Sequence, residues 1–321
     1  MQLAPLVVCR QAKVLYSSVV IFCACAAWEN NPPMGYSLSL YEVNGQTISV
    51  REEGQANRTV AILIHGWASS WYALSPLLPH LSQRHRCLAV NLPGYGSSPP
   101  MPGRATIPDY ADLITALIQQ VTDKPVVLVG HSMGGMISLT IALKNPELVE
   151  RMVLLCPTIS GKLSYLINLT LTPFVAMERF ALTRTLVNVF EPMMGITDSL
   201  LRTPLFADRT GISTEDYERI KADTRHRDQG RIRAECFTAM RNNDLRGKLA
   251  PLKIPSLVIW GMEDNVVPLR DASVVAREWP DADLRIIPNA GHWPQFETAA
   301  ITERHVRAFL STPIKLLKME F

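Results

Sequence analysis

Four nearly unbroken apolar stretches punctuate the chain with helical segments between them: TVAILIHGW from Thr59, CLAVNLPG from Cys87, KPVVLVG from Lys124 and VERMVLLC from Val149. A strand with one wet face alternates apolar and polar residues, so runs without alternation predict strands covered on both faces. The segment IPDYADLITALIQQVTD lies between two of them and puts Tyr110, Leu113, Ile114, Leu117 and Ile118 on one helical face. Strands and helices in this rhythm predict an α/β fold, a mostly parallel central sheet flanked by helices. Ahead of it, Asn44-Gly45 separates two alternating runs and predicts a hairpin.

The rhythm stops after the fourth strand. Helical patterning without a buried strand fills about 157–245, and the strand pattern resumes with IPSLVIWG at 254–261. A helix near DASVVAREW, a strand near ADLRIIP and a closing helix from about Phe296 to Leu310 follow. The expected organisation is a core in two parts, 34–156 and 246–321, with a helical cap inserted at 157–245.

Residues 1–33 stand apart and admit two readings. Arg10 and Lys13 precede VLYSSVVIFCACAA, whose Ala24 and Ala26 form a small-residue pair suited to signal-peptide cleavage after Ala26. The run is short for a membrane span, which needs about 20 apolar residues. Alternatively, Met34 begins the working chain. The first reading implies export, the second a cytoplasmic protein.

Composition excludes some function classes. A net charge of +3 over 321 residues, without a clustered basic face, argues against nucleic-acid binding. No H-x-x-x-H pair or carboxylate cluster suggests a metal. The six cysteines form neither a disulfide framework nor a zinc spacing, and Cys87 and Cys156 read as small buried hydrophobes.

The chemistry is concentrated in LVGHSMGGM, where Gly130-His131-Ser132-Met133-Gly134 fits G-x-S-x-G between a predicted strand and a predicted helix. Glycines beside such a turn give neighbouring elements room, and the turn lifts one hydroxyl clear of the sheet. A serine hydroxyl needs a base to become a nucleophile, and His292 in NAGHWPQFE follows the last predicted strand. A carboxylate should orient that histidine. Asp264 in WGMEDNVVP follows the penultimate strand, and its neighbour Glu263 is the alternative. His65 and His131 read as structural, orienting loops through hydrogen bonds.

Together, LIHGW, NLPGYGSS, GHSMGG, GMEDNVVP and AGHWPQFE closely resemble the α/β-hydrolase superfamily, in its cap-bearing esterase and lipase-like branch. The resemblance covers about residues 36–312 and is loose in the insertion. It implies Ser132 as nucleophile, Asp264 as acid and His292 as base, with Trp67 and Met133 backbone N–H groups as the oxyanion hole. It implies no cofactor and a small ester as substrate. The insertion's first half, LSYLINLTLTPFVAMERFALTRTLVNVF, is poor in charge, and with Met177, Met193 and Met194 it favours a lipophilic ester. It also leaves open a transient membrane or lipid contact. The charged second half, DYERIKADTRHRDQGRIR, reads as a solvated face. Carbon–carbon bond hydrolysis of aromatic breakdown products, cofactor-free perhydrolysis and small-molecule reception remain as alternatives within the same family.

Overall fold

The computed structural model describes residues 36–165, 167–169, 172, 207, 212–223 and 229–317. The readings of residues 1–33 and of Met177, Met193 and Met194 lie outside them.

Eight strands form one sheet: β1 Ser39–Val43, β2 Gln46–Glu53, β3 Thr59–Ile64, β4 His85–Val90, β5 Val126–His131, β6 Val149–Leu155, β7 Ser256–Gly261 and β8 Ala282–Ile287. Their order is β1-β2-β4-β3-β5-β6-β7-β8. From β4 to β8 every pairing is parallel, while β1–β2 and β2–β4 are antiparallel. The predicted turn closes the β1–β2 hairpin with both Asn44 and Gly45 at positive φ, as a tight two-residue connection requires.

The unbroken apolar runs have the expected cause. On one face Ile62, Ile64, Leu128, Leu154, Val258 and Trp260 join a core with helices α1 Ile107–Val121, α2 Met133–Lys144 and, further along, Leu269–Glu278. The alternate residues Ala61, Leu63, Val127, Val129, Val153, Leu155, Leu257 and Ile259 face the opposite layer, built from the segment Trp71–Leu81 and the closing helix Ala299–Ser311. Each buried aliphatic side chain contributes about 1.5–3 kcal/mol, so these central strands supply most of their own stabilisation on both faces. Helix α1 is capped by Thr106, whose hydroxyl accepts Asp109 N–H while Asp109 accepts Thr106 N–H in return.

Between β6 and β7 the described part of the insertion comprises α3 Thr214–Asp223 and α4 Gln229–Asn242, followed by α5 Leu269–Glu278 and α6 Ala299–Ser311 in the core. The insertion leaves and returns side by side: Leu245 N–H donates to Ile159 O at 2.9 Å, and Asp271 Oδ2 accepts Ile159 and Ser160 N–H at 2.9 and 2.8 Å. Its charged half does expose Glu215 and Glu218, yet Tyr217, Ile220, Ile232, Cys236 and Phe237 are buried. A helix this charged still packs because its apolar residues recur on one side. No helix among the described residues is long and apolar enough to cross a membrane.

Candidate active site

Neighbouring parallel strands end at the same edge of the sheet, and each end carries one residue of interest. Trp67 follows β3, Ser132 follows β5, Cys156 follows β6, Asp264 follows β7 and His292 follows β8. The register aligns these ends: Ile64 pairs with Gly130, His131 with Leu155, Leu155 with Ile259, and Gly261 with Ile287. Residues remote in sequence are thereby gathered at one edge, where an open α/β sheet presents its ligand crevice.

Ser132 has φ 54° and ψ −116°, a conformation in which an L-residue is strained. Surrounding bonds hold it there. Ser132 N–H donates to Leu155 O at 2.9 Å, and its carbonyl accepts Thr158 N–H at 3.1 Å and Met136 N–H at 3.2 Å. Helix α2 begins at the next residue. Two glycines in its first turn cost about 1 kcal/mol each in helix propensity, and packing explains them. A Cβ on Gly134 would lie 2.0 Å from Ile64 O, and one on Gly135 would lie 2.6 Å from Pro157 Cβ. Met133, as the first residue of α2, presents one of the N–H groups a helix leaves unpaired, at its positive end.

The Trp67 loop meets the serine from the other side. A Cβ on Gly66 would sit 3.0 Å from Ser132 Cβ, so the chain passes against the nucleophile candidate just before Trp67. His65 holds this loop. Its Nε2 accepts Leu92 N–H at 3.0 Å, which leaves Nδ1 as the protonated nitrogen donating to Gly66 O at 2.7 Å. Burial pushes His65 down to about 4, keeping it neutral in that tautomer. The Trp67 indole N–H donates to Arg233 O of α4 at 2.9 Å, and its ring packs 6.3 Å from that of Phe237.

Of the two acid candidates, Asp264 faces the histidine. Its Oδ2 accepts His292 Nδ1–H at 2.9 Å, while Oδ1 accepts Val266 and Val267 N–H at 2.8 and 2.9 Å. With Oδ1 saturated by two donors, the carboxylate accepts from Nδ1, and His292 Nε2 is the nitrogen left for proton transfer. Glu263 is turned aside, its carboxylate accepting Ala290 N–H at 3.2 Å. Ser132, Asp264 and His292 are only 5%, 6% and 4% exposed, so their charge interactions are little screened by water.

Two further residues join the site without having been assigned a part in the chemistry. His131 donates from Nε2 to His292 O at 2.8 Å, with the two rings 4.8 Å apart. Burial and then the neighbouring His292 hold it well below the ordinary histidine value. Cys156 is fully buried, as expected, but its thiol belongs to the site: its Sγ and the donor atoms of Asp264 and His292 all lie within 4.8 Å of one another. Burial and then the Asp264 charge keep it protonated. With the thiol protonated and Nδ1 already bonded to the carboxylate, this trio is a poor donor set for a cation. The sequence carried the signal for Cys156, since it closes the VERMVLLC strand at the edge where the other site residues emerge.

Residues 60–299 match the family model of the alpha/beta hydrolase fold. Among curated relatives, the uncharacterized hydrolase YugF of Bacillus subtilis (strain 168) is 28% identical over 282 residues, covering 84% of this chain and 96% of its own. The Pseudomonas putida 2-hydroxy-6-oxononadienedioate/2-hydroxy-6-oxononatrienedioate hydrolase 2 is 27% identical over 268 residues, 80% of this chain and 89% of its own. Among solved structures, a thermophilic esterase from Thermogutta terrifontis superposes with a TM-score of 0.71 at 19% identity, covering 88% of this chain and all of that one (100%). That last likeness speaks for the fold alone.

Proposed function

The chain belongs to the alpha/beta hydrolase fold family, and on that premise we propose that it is a serine hydrolase cleaving carboxylic esters, lipophilic ones in particular. The observation that carries the reading is the saturated Asp264 carboxylate on His292 Nδ1, at the sheet edge where Ser132 stands in its strained turn. That arrangement prepares a base and leaves its second nitrogen for the serine proton.

In the proposed mechanism Ser132 Oγ attacks the ester carbonyl carbon as His292 Nε2 takes its proton. The electron pair of the carbonyl moves onto oxygen, where the Trp67 and Met133 N–H groups are the proposed donors. Removing one such donor typically costs about 3 kcal/mol in the transition state. Asp264 stabilises the imidazolium. His292 then protonates the departing alcohol, leaving an acyl group on Ser132. Water, deprotonated by His292, repeats the attack and releases the acid. A lipophilic acyl group suits the apolar Trp67–Phe237 pair beside the proposed oxyanion donor. The proposed cap is the insertion at 157–245.

The test is hydrolysis of p-nitrophenyl esters from acetate to palmitate by wild type and Ser132→Ala. The expected result is turnover with a chain-length optimum, reduced by about 10⁴-fold or more in the variant. A folded wild type silent on every ester would overturn the ester reading. The Pseudomonas putida relative, named as a 2-hydroxy-6-oxononadienedioate hydrolase, makes a 2-hydroxy-6-oxo dienedioate the next substrate to try.

A further inference from the structure

The motif that supplies the candidate base, AGHWPQFE, ends on Glu297, which the acyl-transfer scheme leaves unused. Its carboxylate turns back toward the histidine. Oε2 accepts Gly291 N–H at 2.9 Å, and Oε1 accepts Trp293 N–H at 2.9 Å. The peptide N–H groups before and after His292 are thus held by the two oxygens of one side chain. Oε2 also accepts Ala207 N–H at 2.7 Å, from within the insertion. His292's own carbonyl is taken by His131, so bonds hold the backbone before this residue, after it and at its carbonyl.

We propose, on the serine-hydrolase reading above, that Glu297 is a positioning residue. It fixes the peptide frame of His292 so that the ring keeps its bond to Asp264, and it ties that frame to the insertion through Ala207. A carboxylate suits this task because two acceptor oxygens can serve three backbone donors, which no neutral side chain of this size can do. Burial pushes the Glu297 carboxyl upward, against the pull of the three N–H groups. The three backbone donors thus work against the burial of this carboxyl. Glu297 and His292 also interact electrostatically, so an imidazolium formed during proton transfer meets a second carboxylate besides Asp264. A helix-capping role alone would explain the Trp293 bond but not the Gly291 and Ala207 bonds.

The experiment compares full-length wild type, Glu297→Gln and Glu297→Ala on the best p-nitrophenyl ester, with the rate of Ser132 labelling by a fluorophosphonate measured in parallel. A carboxamide has one acceptor oxygen and would turn its NH₂ against one of the N–H groups. We expect kcat to fall about 10-fold in Glu297→Gln and about 100-fold in Glu297→Ala, with KM little changed and labelling slowed alongside. Glu297→Gln is nearly isosteric and decides the matter if Glu297→Ala does not fold. Variants that lose thermal stability yet keep wild-type kcat and labelling would overturn the positioning role while leaving the hydrolase intact. Wild type that neither turns over nor labels would overturn the hydrolase reading itself.

Discussion

Ser132 holds backbone angles that its side chain disfavours, and the hydrogen bonds to Leu155, Thr158 and Met136 keep it there. Such a conformation costs of order 1–3 kcal/mol, sustained by the rest of the fold. The strain belongs to the Cβ and not to the hydroxyl, which separates two substitutions. Ser132→Ala retains the strain and loses the proposed nucleophile, whereas Ser132→Gly loses both. Urea unfolding should therefore find Ser132→Gly more stable than Ser132→Ala by about 1 kcal/mol, even though glycine usually costs stability. Equal midpoints would mean that the turn is unstrained. The serine and its glycines were legible in sequence because their role is local. Asp264 over Glu263 came only from the family resemblance, since both carboxylates follow β7, and the physical cause is the packing of their loop against the 287–292 segment, which sets Asp264 on His292.

Helix α4 shows how much an element's meaning depends on its neighbours. Read alone, the charged stretch that ends in its first turn suggests a solvated face. In the fold Ile232 packs over Gly94, Cys236 Sγ lies 3.4 Å from Tyr110 Oη, and Phe237 meets Trp67. Its Arg233 carbonyl receives the Trp67 indole, so the loop that carries a proposed oxyanion donor leans on the insertion. Trp67→Phe removes that side-chain donor and keeps the backbone N–H. A hydrogen bond of this kind is worth about 1 kcal/mol, so kcat/KM for ester hydrolysis should drop about fivefold while the protein stays folded by circular dichroism. A change in thermal stability with unaltered kcat/KM would restrict the bond to seating the helix. Helix α3 is tied down similarly, by Tyr72 Oη donating to Asp216 Oδ1 at 2.8 Å.

At the scale of the whole molecule, the buried histidines link folding to pH. His65 titrates near 6.5 when unfolded and is held at about 4 in the fold, so the folded state binds protons less readily. Stability from this source is complete above about pH 6.5 and is lost progressively as pH falls toward 4. Between pH 7 and 5 the loss from His65 is about 2 kcal/mol, and His131, held low by burial, adds in the same direction. Urea unfolding free energies across that interval should fall accordingly. A flat profile would show that these rings are protonated or exposed in the native state.

What the sequence determined by itself is what the chain does locally and periodically. Apolar runs without alternation imposed strands buried on both faces, turn residues set the hairpin, and the glycine-flanked serine marked a strand-to-helix elbow. These follow from interactions within a few residues or from a hydrophobic period, and both can be read along the chain. Only the tertiary structure decided which side chains meet. Parallel strand order carried the ends of β3, β5, β6, β7 and β8 to one edge, set Asp264 on His292, drew the thiol of Cys156 into the same group, and folded Glu297 back onto the peptide bonds of the histidine. Asp264 and His292 lie 28 residues apart, and Cys156 lies 136 residues before His292. Nothing in the chain's periodicity encodes such separations, because packing and not propensity sets them.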